Sequence, residues 1–218
     1  MSSWNEEQGH VSRAFDEWKL VEADVRAFAR HGLAFAEAEF ERIWNEVSEE
    51  PGDEDGPELP DAFEARVDGL YPQDFDWMLL AGALRDAVTS FEVYLEKARE
   101  EVLLHHGQRI EIAEDSPRWG VLCRFFAQLG ATIETPGVKG VRELRHFLAH
   151  RRGELRTEAL RQAFPTGSDP GVFPPLEVEL TEHGVTADMD VLAAATRTID
   201  AVVYDHSWGS TRINDLVP

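Results

Sequence analysis

A chain of 218 residues with a formal net charge of −21 is long enough to bury one sizeable core. Its single cysteine, Cys123, excludes an internal disulfide and a cysteine-based zinc site. The N-terminal MSSWNEEQGH lacks the basic and apolar regions of a signal sequence, and no apolar run approaches the ~18–20 residues of a membrane helix, so a soluble, cytoplasmic protein with no membrane partner is expected.

In chain order, Gly9 to Val47 is rich in Ala, Glu, Phe and Leu, with Phe28, Phe35, Phe40 and Trp44 at helical spacing, which predicts one long helix or two. EEPGDEDGPELP then reads as an acidic flexible loop, and Asp61 to Leu70 as a short helix. A second long helix is predicted from Asp74 or Asp76 to His105, with Leu79, Leu80, Leu84, Val88, Phe91, Leu95 and Val102 on one broad face. Ser116-Pro117 suits the cap and first turn of a helix ending near Gly130. Cys123, in the apolar stretch WGVLCRFF, reads as an inert buried thiol. Thr135-Pro136-Gly137 leads into a further helix, from Val138 to Phe164.

The loop PTGSDPGVFPP ends that helix, and LEVELTEHGVTAD alternates around His183-Gly184 in the manner of a small β-hairpin. A last helix, Asp188 to Tyr204, and an irregular tail complete the chain. The expected fold is mainly α: a helical bundle with one hairpin before the C-terminal helix. The expected division is an N-terminal helical extension with its acidic loop over 1–70, a bundle over 71–205 and a tail over 206–218. Trp44, Trp77 and Trp119 read as packing aromatics, and His105-His106 as partners of helix-end carbonyls.

The charge is unevenly placed. Between Lys139 and Arg161 seven basic residues face three acidic ones, a local +4 in a chain whose remainder carries −25. Such an island points to an anion site, where an even spread of acid would repel phosphate. On a helical wheel, Val141, Leu144, Leu148 and Leu155 form a core stripe, while Arg142, Arg145, His146, Ala149, His150, Gly153 and Arg156 lie on the far side. Arg and His mixed with small residues is an odd solvent face. Ala149 and Gly153, four apart, would let a second helix approach, as in a two-fold dimer.

The segment Arg145-His146-Phe147-Leu148-Ala149-His150 resembles the signature of HEPN domains, an Arg followed by a polar residue and then a His four to six positions beyond the Arg. RDAVTSFEVYLEKA resembles the family's other core helix, and the C-terminal LEVELTEHGVTADMDVLAAATRTI the ending of several bacterial HEPN groups, so the likeness spans roughly Asp74 to Tyr204. The resemblance implies a HEPN-like bundle acting as a metal-independent endoribonuclease without cofactor. His150 would transfer protons, Arg145 would stabilise the phosphate and His146 would support them, while Arg142, Arg151, Arg152 and Arg156 would hold RNA. It also implies a homodimer, RNA as substrate, an antitoxin, sensor or regulatory protein as partner, and a place in toxin–antitoxin or anti-phage defence. Some HEPN toxins carry a modifiable Tyr just after the motif; this chain has Arg152 there.

These residue types suit the chemistry. Cleaving RNA without a metal needs a base for the 2′-hydroxyl proton, an acid for the leaving 5′-oxygen and fixed positive charge on the phosphate. His titrates near neutrality, and Arg is a permanently charged fork. Other readings are a HEPN dimer that binds RNA or protein without cutting it, and half of a helical metal site at His146 and His150, for which no third ligand or Glu base stands nearby.

Overall fold

The computed structural model describes residues 11–49, 58–71, 74–107, 117–151, 153–164 and 178–207. Seven helices occupy them: α1 (Arg13–Glu49), α2 (Leu59–Leu70), α3 (Phe75–His105), α4 (Trp119–Gln128), α5 (Pro136–Arg151), α6 (Glu158–Ala163) and α7 (Glu182–Ser207). No described helix is long and apolar enough to cross a membrane. The acidic loop and the C-terminal tail fall almost wholly outside the described residues.

The bundle is built around α3, against which α1, α7, α5 and α4 all pack. The sequence of α3 explains this position. Its Leu80, Leu84, Val88, Phe91, Leu95 and Val102 are fully buried, and alanines at 81, 83, 87 and 98 let neighbours approach on further sides. Each large side chain removed from water contributes roughly 1.5–3 kcal/mol. Phe15, Trp18 and Ala29 of α1 enter the same core as Leu192, Ile199 and Val203 of α7, so α1 and the later helices share one interior. At Gly32 the two helices lie close, since a Cβ there would stand 2.6 Å from Leu79 Cδ2.

The buried stripe of α1 runs through Ala29, Ala36, Ile43 and Val47. Of the aromatics that mark this helix in the sequence, Phe28, Phe35 and Trp44 lie one position away from it, and Phe40 falls between Ala36 and Ile43. Phe28 and Phe35 are 55% and 58% exposed, whereas Trp44 and Phe40 meet Phe63 and Tyr71 edge to face.

One polar cluster is sealed inside. Asp200 of α7 accepts hydrogen bonds from the Ser12 hydroxyl, the Ser12 backbone N–H at 3.3 Å and the Tyr94 hydroxyl at 3.4 Å. The Ser12 hydroxyl oxygen in turn accepts from Phe15 N–H at 3.1 Å, so it also satisfies an otherwise unpaired donor in the first turn of α1. Burial pushes the Asp200 carboxyl above its ordinary value, an effect that the Ser12 and Tyr94 bonds counter.

Two expectations are corrected. The hairpin around His183-Gly184 is absent: residues from Glu182 onward are helical, and among the described residues the extended pairing is limited to Val178, whose N–H donates to Gly153 O at 3.0 Å. Thr181 starts α7 instead, its hydroxyl accepting from Gly184 N–H at 3.1 Å. Val185, Met189 and Leu192 then fall at helical intervals and are buried, and this period outweighs the short alternation preceding it. The helix expected from Val138 to Phe164 is two. It stops at Arg151, Gly153 turns the chain with φ +78°, and Thr157 caps the short α6 through Leu160 N–H. The turn drops Leu155, fully buried, into a small second core with Phe147 and Val178.

Candidate functional site

The start of α5 is set by Thr135, whose hydroxyl accepts from Val138 N–H at 3.3 Å. Val138, Val141 and Leu148 then anchor the helix in the main core. Phe147 turns toward the second core and stacks on Phe164, ring centroids 5.4 Å apart at 17°. With these positions fixed, Arg142, Arg145 and His146 border a cleft of about 460 Å³, floored by Phe147 and Phe164 and closed on one side by Glu92 of α3.

The cations of the cleft are held in place. Arg142 Nε and Nη2 both donate to Glu92 Oε1 at 2.9 Å, and the guanidinium lies 3.4 Å over the Trp119 ring. Trp119 Nε1 in turn donates to Glu134 Oε1 at 2.9 Å. Arg145 Nη2 stands 4.0 Å from Glu92 Oε2. One carboxylate thus faces two arginines spaced three apart on α5, which share a face of the helix.

Of the residues singled out in the sequence, Arg145 is half-buried while His146, Ala149 and His150 are exposed. The imidazoles of His146 and His150 lie against each other, centroids 4.4 Å apart. Arg145 and His146 line the cleft, and His150 sits one turn farther along, outside its lining. Five positions separate Arg145 from His150, about 140° around the helix, so one chain does not converge both on a single point. Arg142 and Arg156 each hold a carboxylate, Glu92 and Glu154 respectively, so RNA phosphate would share or displace those partners. Arg152 and the Arg151 side chain lie outside the described residues.

Gly153 is corrected. It is not on an outward helix face but in the turn beyond α5, buried, where a Cβ would stand 2.9 Å from Trp77 Cζ2. Its lack of a side chain serves packing within the chain, and of the two small residues expected at a dimer contact only Ala149 remains on the surface.

Glu92, Trp119, Glu134 and Phe164 were not singled out as site residues in the sequence. Trp119, read there as a packing aromatic, carries Arg142 on its face. Within the cleft the basic residues are matched by acidic ones: Lys139, Arg142 and Arg145 share it with Glu92, Glu134 and Glu143, and Lys139 Nζ is 3.8 Å from Glu143. Cys123 is half-buried, and burial pushes its thiol up, away from the reactive thiolate. Among the described residues no group of three or more His, Cys, Asp or Glu is arranged to hold a metal ion. Comparison with protein-family models, curated proteins and solved structures finds no match for the chain.

Proposed function

We propose that the chain is a metal-independent endoribonuclease of the HEPN type. The observation that supports this reading is the placement of half-buried Arg145 and exposed His146 at the mouth of a cleft, with the His150 ring one turn farther along the same helix and 4.4 Å from that of His146. In the reaction, an imidazole of His150 takes the 2′-hydroxyl proton as that oxygen attacks phosphorus. The bond from phosphorus to the 5′-oxygen breaks, the leaving oxygen takes a proton from a second, protonated imidazole, and a 2′,3′-cyclic phosphate remains. Arg145 stabilises the charge on the crowded phosphate and His146 supports His150. Because Arg145 and His150 diverge on one helix, a dimer that sets two copies of α5 across one cleft would complete the site.

A second reading, a HEPN-like module that binds RNA or protein without cutting it, draws on the balanced charge of the cleft, where three carboxylates face three cations. The test is incubation of mixed RNA with wild type, Arg145→Ala and His150→Ala in EDTA, with analysis of the product ends. Cleavage leaving cyclic phosphate, abolished in both variants, is the expected result. A folded wild type that binds RNA and leaves it intact establishes the second reading.

A further inference from the structure

Helix α5 runs antiparallel to α3. Arg142, in its first half, meets Glu92, and Gly153, just past its end, lies against Trp77 near the start of α3. Helices paired in this way repeat their facing positions about every seven residues, since seven residues are close to two turns. Seven positions before Glu92 stands Arg85, and seven positions after Arg142 stands Ala149. Arg85 therefore stands to Ala149 as Glu92 stands to Arg142, about 10 Å farther along the pair.

The two layers differ in chemistry. At the first, a carboxylate holds a guanidinium. At the second, a guanidinium faces a methyl group. Both Arg85 and Ala149 are exposed, and no ion pair joins Arg85 to a carboxylate among the described residues. Its neighbour Asp86 is turned about 100° away around α3. Arg85 Nε donates to Ala81 O at 3.2 Å, which folds the guanidinium back toward the N-terminus of α3, with Nη2 beside Gly82. Because α5 runs the opposite way, that is the direction leading from Ala149 on to His150.

We infer that Arg85 holds a backbone phosphate of RNA over Ala149, beside His150. The inference rests on the ribonuclease reading above and supplies what that reading lacks on the His150 side. His150 lies outside the cleft that Arg142 and Arg145 line, and both of those arginines face Glu92. Arg85 has no such competitor, and its guanidinium carries a permanent charge and five donors. The methyl of Ala149 leaves the space between Arg85 and the imidazole open, where a longer side chain would fill it.

The test is fluorescence anisotropy, over a range of salt concentrations, with a short labelled RNA that is 2′-O-methylated throughout. This probe lacks the internal nucleophile, so it is bound without being cut. Arg85→Ala is expected to weaken binding about ten-fold and to lower the slope of log affinity against log salt by about 0.7, the value of one phosphate contact on a single strand. Arg85→Lys keeps the charge and is expected to keep the slope. Arg30→Ala, which removes an exposed guanidinium from α1, is expected to leave affinity within about two-fold, because charges beyond a Debye length are screened. Each replaced side chain is exposed, so helical circular dichroism is expected to stay unchanged. Wild type that fails to bind the probe would overturn the RNA reading and this assignment together. Wild type that binds, with Arg85→Ala unaltered in affinity and slope or with Arg30→Ala equally weakened, would overturn the assignment of Arg85 and leave the RNA reading standing.

Discussion

Glu92 and Asp200 are both carboxylates on which donors from other helices converge, and they work in opposite ways. Asp200 is 3% exposed and accepts from a serine hydroxyl, a backbone amide and a tyrosine, all neutral. Glu92 keeps a quarter of its side chain in solvent and faces two guanidinium groups. A dry carboxylate with neutral donors fixes helices together, because each partner left unpaired would carry a desolvation penalty. A half-wet carboxylate between arginines sets the charge and position of groups that still reach a ligand. The lesson is that the number of bonds to a carboxylate says less about its role than the water around it.

The comparison is tested most severely by Asp200→Ala. It strands Ser12, its amide and the Tyr94 hydroxyl in the interior, and a loss of about 3 kcal/mol in urea unfolding is expected; a loss below about 1 kcal/mol would show that water reaches the cluster. Asp200→Asn probes the same site by pH. With the folded carboxyl raised above 3.8 by burial, the native protein keeps a proton that the unfolded chain has released. Its contribution to stability is then full below the unfolded value and is lost as pH rises through the folded one. Wild type should therefore lose stability relative to Asp200→Asn as pH increases above ~4, and a pH-independent difference would contradict the raised value.

Next in size is Gly153→Ala, which combines a left-handed backbone with a Cβ 2.9 Å from Trp77; a cost of about 1–2 kcal/mol, read as a lowered Tm, is expected. Glu92→Gln should cost at most about 1 kcal/mol of stability while lowering kcat of the proposed cleavage roughly ten-fold, as Arg145 loses its counter-charge. Equal stability losses for Glu92→Gln and Asp200→Ala would erase the distinction between the two carboxylates. The smallest effect belongs to Trp119→Leu, which removes the ring under Arg142 at about 0.5–1 kcal/mol.

Much of this was legible in advance. The periodicity of Leu80, Leu84, Val88, Phe91, Leu95 and Val102 predicts α3 and its burial, and of the five other helices expected four exist with shifted ends, while the one from Val138 to Phe164 divides into α5 and α6. The misreadings are instructive. LEVEL alternates as a strand would, yet Val185, Met189 and Leu192 had a core to enter only as a helix. The spacing around Gly153 also suits a longer helix; whether such a glycine continues or ends a helix depends on what awaits the next apolar residue, here the small second core that takes Leu155. In the middle of α1 Phe28 and Phe35 are the louder signal, but the neighbouring Ala29 and Ala36 are the buried residues.

By itself the sequence determined the helices, through apolar spacing, and the clustering of Arg145, His146 and His150 within one turn and a half, through adjacency. The tertiary structure decided which groups face them. Glu92 lies 50 positions before Arg142, Trp119 belongs to another helix, and Asp200 meets Ser12 across 188 positions. Contacts of that separation leave no periodic trace, since they arise when helices already formed by local forces are packed side by side.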